Sequence, residues 1–320
     1  MFFKRSSDEV PSPARETHSS AAYVVWDHGV SGVSMRTLSL IGCTVVALVI
    51  CSAAQLRCEF KDLQFPNGFT LGVEGISDRG EAVGDYFPPN GPGVLGFYFF
   101  DGKFVSISHP HSTGTIATGV SDRGVIVGYF EDGVTVRGFR YENGKFMTVN
   151  FPHSASTQVL GINEIGQMVG GYTDDQDRQF GFLFRAGSFF KIEFPGSSGT
   201  TAYGISRDGT IVGTYSDSSG ASHGFKFSGG HYEAINFPGA VETVVVGISS
   251  RNWIVGDYDN GTVHGFVLID GDFHTEDDPK AGLSTVVFGA NVGDQIVGSY
   301  VTNSGKEAGF LATCALTGQE

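Results

Sequence analysis

The chain is 320 residues long, carries a formal net charge of −14, and is 40% apolar but only 17% charged. That balance excludes a nucleic-acid binder built on phosphate neutralisation, which needs clustered Lys and Arg. The length allows one large domain or two ordinary ones. Its 47 glycines would point to disorder were they not periodic and set among Val, Ile, Phe and Tyr, a composition that suits many short strands joined by tight turns.

Residues 1–36 are polar and without periodicity. Leu38–Ala54 is then almost continuously apolar, short for a spanning helix and suited to the core of a signal peptide. Ser52, Ala53 and Ala54 offer small residues for cleavage before Gln55, and Met35-Arg36 would give such a signal a short basic head. The expectation is a signal peptide or membrane anchor over 37–54, with residues 1–36 an over-extended gene start. Residues 55–320 are then placed outside the cytoplasm, secreted, periplasmic or at a bacterial cell surface.

From residue 55 onward one sentence is repeated. Gly119–Phe130 reads G-V-S-D-R-G-V-I-V-G-Y-F, two short apolar runs around a polar turn, and it recurs from Gly75, Gly161, Gly204, Gly247 and, worn, Gly289. A Gly-Phe beat follows in each copy, at Gly96, Gly138, Gly181, Gly224, Gly265 and Gly309. Most copies then close on Phe-Pro, with His109-Pro110 and Asp278-Pro279 as variants. A period of about 43 residues with four strand-like runs is the length of one propeller blade. In the second copy the runs are Thr115–Val120, Val125–Phe130, Val136–Tyr141 and Phe146–Phe151, here called a to d. The c–d turn holds Asn143-Gly144, a strong hairpin signal. Pro at the end of run d suits an outer edge, because it cannot donate to a ladder. The recurring aromatic at Tyr86, Phe130, Tyr172, Tyr215, Tyr258 and Tyr300 reads as packing between blades.

The phase of the repeat predicts closure. The chain enters with Phe60–Pro66, which aligns with run d, and it stops just after a run c at Gly309–Thr313. An open array has no use for that permutation, whereas a ring uses it to remove exposed edges. The predicted fold is therefore an all-β, six-bladed β-propeller with four antiparallel strands per blade, the last blade completed by an N-terminal strand at 60–66. Cys43 and Cys51 fall in the apolar leader, leaving Cys58 and Cys314. These align with the adjacent residues of a c–d turn that the last blade lacks, so a disulfide could replace that turn. Two unrelated thiols are the alternative.

The pattern Gly-Ile-Ser, Gly-x-Ile-Val-Gly-x-Tyr, His-Gly-Phe, Phe-Pro-Gly is clearest at Gly204–Tyr215, His223-Gly224-Phe225 and Phe237-Pro238-Gly239. It resembles the HAF repeat family of bacterial extracellular proteins, over residues 60–313. That resemblance implies export and no general activity.

Chemistry is sparse. In a ring, the d–a and b–c connections share the face with the longer, more varied loops, where function usually sits. His109, His111 and His153 come from neighbouring d–a crossings and could approach one another. Asp174–Asp177 and Asp257–Gly261 look faintly like calcium loops but lack the regular spacing and closing Glu. Of the residues ahead of the marker glycines, Glu74, Thr118, Leu160, Tyr203, Val246 and Phe288, Glu74 alone is ionisable, and a lone carboxylate lacks the partner that acid–base chemistry wants. No nucleophile elbow, zinc-protease helix or phosphate loop is present. The candidate ligand-binding residues are Glu74, His109, His111, His153 and Tyr203, with no catalytic set, no metal and no cofactor. The expected role is non-catalytic recognition or scaffolding of a protein or polysaccharide on the loop face. The alternative is an extracytoplasmic hydrolase or lyase acting on a polysaccharide at the central funnel.

Overall fold

The computed structural model describes residues 55–317, apart from 64, 67–70, 90 and 92. The leader at 37–54 and the segment at 1–36 lie outside the described residues. The chain opens with β1 (Gln55–Asp62). Four meanders follow: β2–β5 (Leu71–Ile76, Ala82–Tyr86, Leu95–Phe100, Lys103–Ile107), β6–β9 (Gly114–Val120, Ile126–Glu131, Val136–Glu142, Lys145–Val149), β10–β13 (Ser156–Ile162, Met168–Thr173, Gln179–Arg185, Ser188–Ile192) and β14–β17 (Gly199–Ile205, Ile211–Ser216, Ser222–Ser228, His231–Ile235). Then come β18–β21 (Glu242–Ile248, Ile254–Asp259, Val263–Ile269, Asp272–Thr275) and β22–β24 (Ser284–Ala290, Gln295–Val301, Glu307–Thr317).

Local chemistry explains the meander. In the second copy Gly124 N–H donates to Ser121 O (2.8 Å) and Ser121 N–H to Val125 O (3.0 Å), closing the a–b turn with Gly124 at φ 71°. The next turn puts Asn143 at φ 52° and Gly144 at φ 77°. Both central residues are left-handed, as a two-residue hairpin requires. The Gly-Phe beat is a packing rule. Phe97, Phe139, Phe182, Phe225, Phe266 and Phe310 are all fully buried, and each ring lies over a glycine of the neighbouring strand. A Cβ on Gly170 would sit 1.9 Å from Gln158 O and 2.8 Å from the Phe182 ring, so no side chain fits there.

The molecule is an all-β propeller. Hydrogen bonding does not, however, divide it into six separate four-stranded sheets as the repeat count predicts. β2–β5, β6–β9, β10–β13 and β14–β17 each form a four-stranded sheet, and the remaining eight strands form a single sheet. The join is one parallel residue pair, Val263↔Ser284, between β20 and β22. Each innermost strand starts beside the third strand of the meander before it. At this one place the two backbones come into ladder geometry.

The ring closes through its innermost strands. A Cβ on Gly75 would meet Gly119 Cα at 3.2 Å, and the same close approach runs Gly119–Gly161–Gly204–Gly247–Gly289 and back to Gly75. The core follows the same circuit, each apolar cluster lying between neighbouring meanders. Val127 of β7, for example, packs with Val159 and Phe182. Val297 of β23 packs with Val73 and Phe97 and so joins the last meander to the first. The a–b turns are latched in the same cycle: Asn163 Nδ2 donates to Ser206 O (3.0 Å) and Asn291 Nδ2 to Ser77 O (3.0 Å).

β1 completes the last meander by pairing antiparallel with β24, with Phe60 opposite Ala312 and Asp62 opposite Phe310. The strand lies at Gln55–Asp62, earlier than the expected 60–66, because β24 continues to Thr317 and holds its partner back to Gln55. Cys58 and Cys314 are bonded, across 256 residues of chain. They stand directly opposite each other inside the ladder, with paired residues on both sides, so the bridge reinforces a strand pair instead of replacing a turn. A bonded pair of this kind suits an oxidising, extracytoplasmic compartment. Among the described residues no helix is long and apolar enough to cross a membrane.

The fourth strands also end earlier than expected, β9 at Val149 instead of Phe151. Phe151 leaves the sheet because its N–H donates to Thr157 Oγ1 (3.1 Å) and its ring stacks on Tyr172 at 3.7 Å. The same clasp joins Phe194 to Tyr215 and Phe237 to Tyr258. The recurring aromatics therefore pack one meander onto the next.

Candidate functional site

The structural feature that builds a site is a bulge. Every first-to-second strand pair slips by one residue just ahead of its marker glycine, at Val73/Gly75, Ala117/Gly119, Val159/Gly161, Ala202/Gly204, Val245/Gly247 and Val287/Gly289. The residue skipped by the ladder is Glu74, Thr118, Leu160, Tyr203, Val246 or Phe288. A bulge re-aims its extra side chain, and all of these line one cavity on the axis, of about 730 Å³. The cavity lies where the inner strands begin, the end reached by the d–a and b–c connections. Below it the axis narrows to about 80 Å³ at the level of the marker glycines, which act as a floor.

Although the backbone repeats, the lining does not. The first four meanders contribute mostly polar groups, among them Glu74, Asp85, Thr118, Tyr129, Gln158 and Tyr203. The last two contribute Val244, Val246, Val286 and Phe288, with Asp257 set among them. Glu74 and Asp85 share one corner. The point where Gly72 would carry a Cβ lies 3.0 Å from Glu74 Oε1 and 3.1 Å from Asp85 Oδ1.

Electrostatics follow from this enclosure. Glu74 is walled in by protein, and burial, with Asp85 and Glu307 nearby, pushes its pKa up to about 8. Its carboxylate nonetheless faces the cavity and is not sealed from water. Burial and Glu307 raise Asp85 to about 6. Burial, with Glu242 and Asp259, raises Asp257 to about 7. Tyr129 is pushed up to about 12 by burial and by the charges of Glu74 and Asp85, and Tyr203 is raised by burial, Asp257 and Glu74. Displaced, separated pKa values in a cleft are what functional sites tend to have.

Of the residues singled out from sequence, Glu74 and Tyr203 line this cavity together. His109 does not. It occupies the Phe position of the clasp, stacked on Phe130 at 3.6 Å and edge-on to Phe146, which lowers its pKa through burial. His111 and His153 are exposed turn residues with φ 65° and 60°. Among the described residues these histidines form no group close enough to share a metal. Asp174 is taken up locally, by the amides of Gln176 and Arg178 and by the Arg178 guanidinium.

Sequence reasoning missed Asp85 and Asp257, so the reading of Glu74 as a lone carboxylate is corrected. Both stand one residue after the glycine inside the second strand on which the Phe ring packs, a position occupied in turn by Asp85, Tyr129, Gly171, Thr214, Asp257 and Ser299. That variation amid fixed neighbours was the available signal. Asp85 lies directly across from Gly72, two residues before Glu74, and Asp257 lies directly across from Val244.

At the opposite end of the axis the turns bring Asp78, Asp122 and Glu164 together, one oxygen of each within 4.8 Å of the others. Two of the three already accept protein donors, whereas Asp122 Oδ1 is buried without a hydrogen-bond partner. Asp122 N–H donates to Glu164 Oε2 (2.9 Å), while Asp78 takes Ser250 Oγ (2.9 Å) and Val292 N–H (3.0 Å). Burial and Asp122 raise Glu164 to about 7.

No family model and no curated protein matches the sequence. Solved structures that resemble it include TolB from Acinetobacter baumannii, at 13% identity and a TM-score of 0.54, over 74% of this chain and 64% of that one. A fucose-specific lectin from Aleuria aurantia aligns at 10% identity and 0.47, over 83% and 97%. A mutant of AofleA from Arthrobotrys oligospora aligns at 12% and 0.45, over 83% and 84%. At such identities the likeness is one of fold, and the TolB match agrees with an all-β propeller.

Proposed function

We propose that the chain is an exported, non-catalytic recognition module of the HAF repeat type. In this reading it is a six-bladed propeller, with β18–β21 and β22–β24 plus β1 serving as two blades whose ladders join at a single residue pair. The cycle of six marker glycines supports that count. The ligand, a protein or a polysaccharide, is presented to the d–a and b–c loop face and inserts a group into the axial cavity.

The observation that carries the reading is the cavity itself, about 730 Å³ with a lining that differs from blade to blade on a backbone that repeats. Small-molecule sites are concave, mixed in polarity and of this size. The test is a glycan array probed with the full chain. Specific retention supports recognition; silence there, together with turnover on a polysaccharide panel, overturns it.

One observation favours a hydrolase or lyase instead. Glu74 and Asp85 share a corner of the cavity, and their environments hold their pKa values apart, at about 8 and about 6. A protonated carboxyl beside an ionised one is the division of labour used in glycoside hydrolysis. Under that reading Glu74→Gln and Asp85→Asn each abolish turnover while binding persists.

A further inference from the structure

The cavity wall carries three carboxylates, Glu74, Asp85 and Asp257, and no Lys, Arg or His among the residues that line it. Among the described residues none of the three has a hydrogen-bond or salt-bridge partner. Carboxylates this enclosed are costly unless they are paired or take up a proton. On its outer surfaces Asp62 has Lys280 at 2.6 Å, Asp174 has Arg178 at 2.7 Å and Asp294 has Arg251 at 3.0 Å. In the cavity the protein itself offers no such cationic partner.

The rest of the lining says what kind would fit. The three carboxylates are not among the acidic groups close enough together to share a metal ion. Where they are ionised, a neutral sugar would leave their charge uncompensated. The same cavity is lined by Val244, Val246, Val286 and Phe288, with Asp257 among them, and by Tyr203, which lies within the field of Asp257 and Glu74. Aromatic rings beside carboxylates, here Tyr203 and Phe288 in one lining, suit an organic ammonium group.

We infer that the axial cavity is a seat for a small organic ammonium ion with an apolar body, the charge held by Glu74, Asp85 and Asp257 and the body lying on the Val244–Phe288 wall. This deepens the reading of the cavity as the recognition site and rests on it.

The test compares 2-phenylethylamine with its neutral counterpart 2-phenylethanol by isothermal titration calorimetry on the full chain at pH 8.5, where Glu74 is ionised. A charge-assisted contact contributes roughly 1.5–3 kcal/mol, so the amine should bind at least about tenfold tighter than the alcohol. Glu74→Gln and Asp257→Asn should each bring the affinity for the amine down to that for the alcohol. Both replacements keep the side-chain shape and relieve an enclosed charge, so the fold is retained. Equal affinities for amine and alcohol, or a preference that survives both variants, overturn the cation and leave the cavity as a binding seat. Binding of neither probe overturns the cavity reading with it.

Discussion

Replacing Glu74 by Gln should stabilise the protein, and more so at high pH. The folded state raises the Glu74 pKa from 4.5 to about 8, so it holds that proton more tightly than the unfolded chain does. Stability from this group is therefore greatest below the unfolded value and is lost as pH rises through 4.5 toward 8. At about 1.36 kcal/mol per pKa unit the ceiling is near 5 kcal/mol. Because the carboxylate faces a cavity open to water, roughly half of that is a better expectation, about 2–3 kcal/mol. For a domain of this size about 2–4 °C accompanies each kcal/mol. The variant should then melt roughly 5–10 °C above the parent at pH 8.5. At pH 5, where folded Glu74 is already protonated, the gap should shrink to a degree or two. Thermal melts followed by circular dichroism at the two pH values, at matched ionic strength, measure both gaps. A variant that melts lower at pH 8.5, or a gap independent of pH, would show that Glu74 is not enclosed as described.

Two further outcomes test the ring. Cys58→Ser opens a covalent loop of 256 residues, and on the chain-entropy account it should cost up to about 5 kcal/mol under non-reducing conditions; melting unchanged from the parent would mean the closure rests on the β1–β24 ladder alone. Gly170→Ala places a Cβ 1.9 Å from Gln158 O and 2.8 Å from the buried Phe182 ring, and should cost about 3 kcal/mol or more of stability, read as a lower melting temperature. Wild-type stability in that variant would refute the packing rule drawn from the Gly-Phe repeat.

The candidate site was half legible. The residues ahead of the marker glycines pointed to the axis because a strand-pair bulge there turns each of them inward, and Glu74 and Tyr203 were found by that register. Asp85 and Asp257 escaped because they belong to the second strand and reach the cavity only as cross-strand neighbours of Gly72 and Val244. Sequence order puts Asp85 eleven residues from Glu74, and pairing alone brings them to one corner. His109 was misplaced for a related reason: it fills a position that Phe holds in most other copies, and only the stack on Phe130 reveals that it is doing the work of an aromatic.

The periodicity of Gly, Gly-Phe and Phe-Pro determined by itself that this chain forms four-stranded meanders, and the phase of its first and last segments determined that they close on each other. Those are local matters of turn geometry and of which positions tolerate a Cβ, and local rules are written into short stretches. Where hydrogen bonding joins two meanders into one sheet, and which acidic groups end up facing one cavity, were decided only by the assembled ring. Both depend on distances between strands that the chain brings together from far apart, and no single repeat contains them.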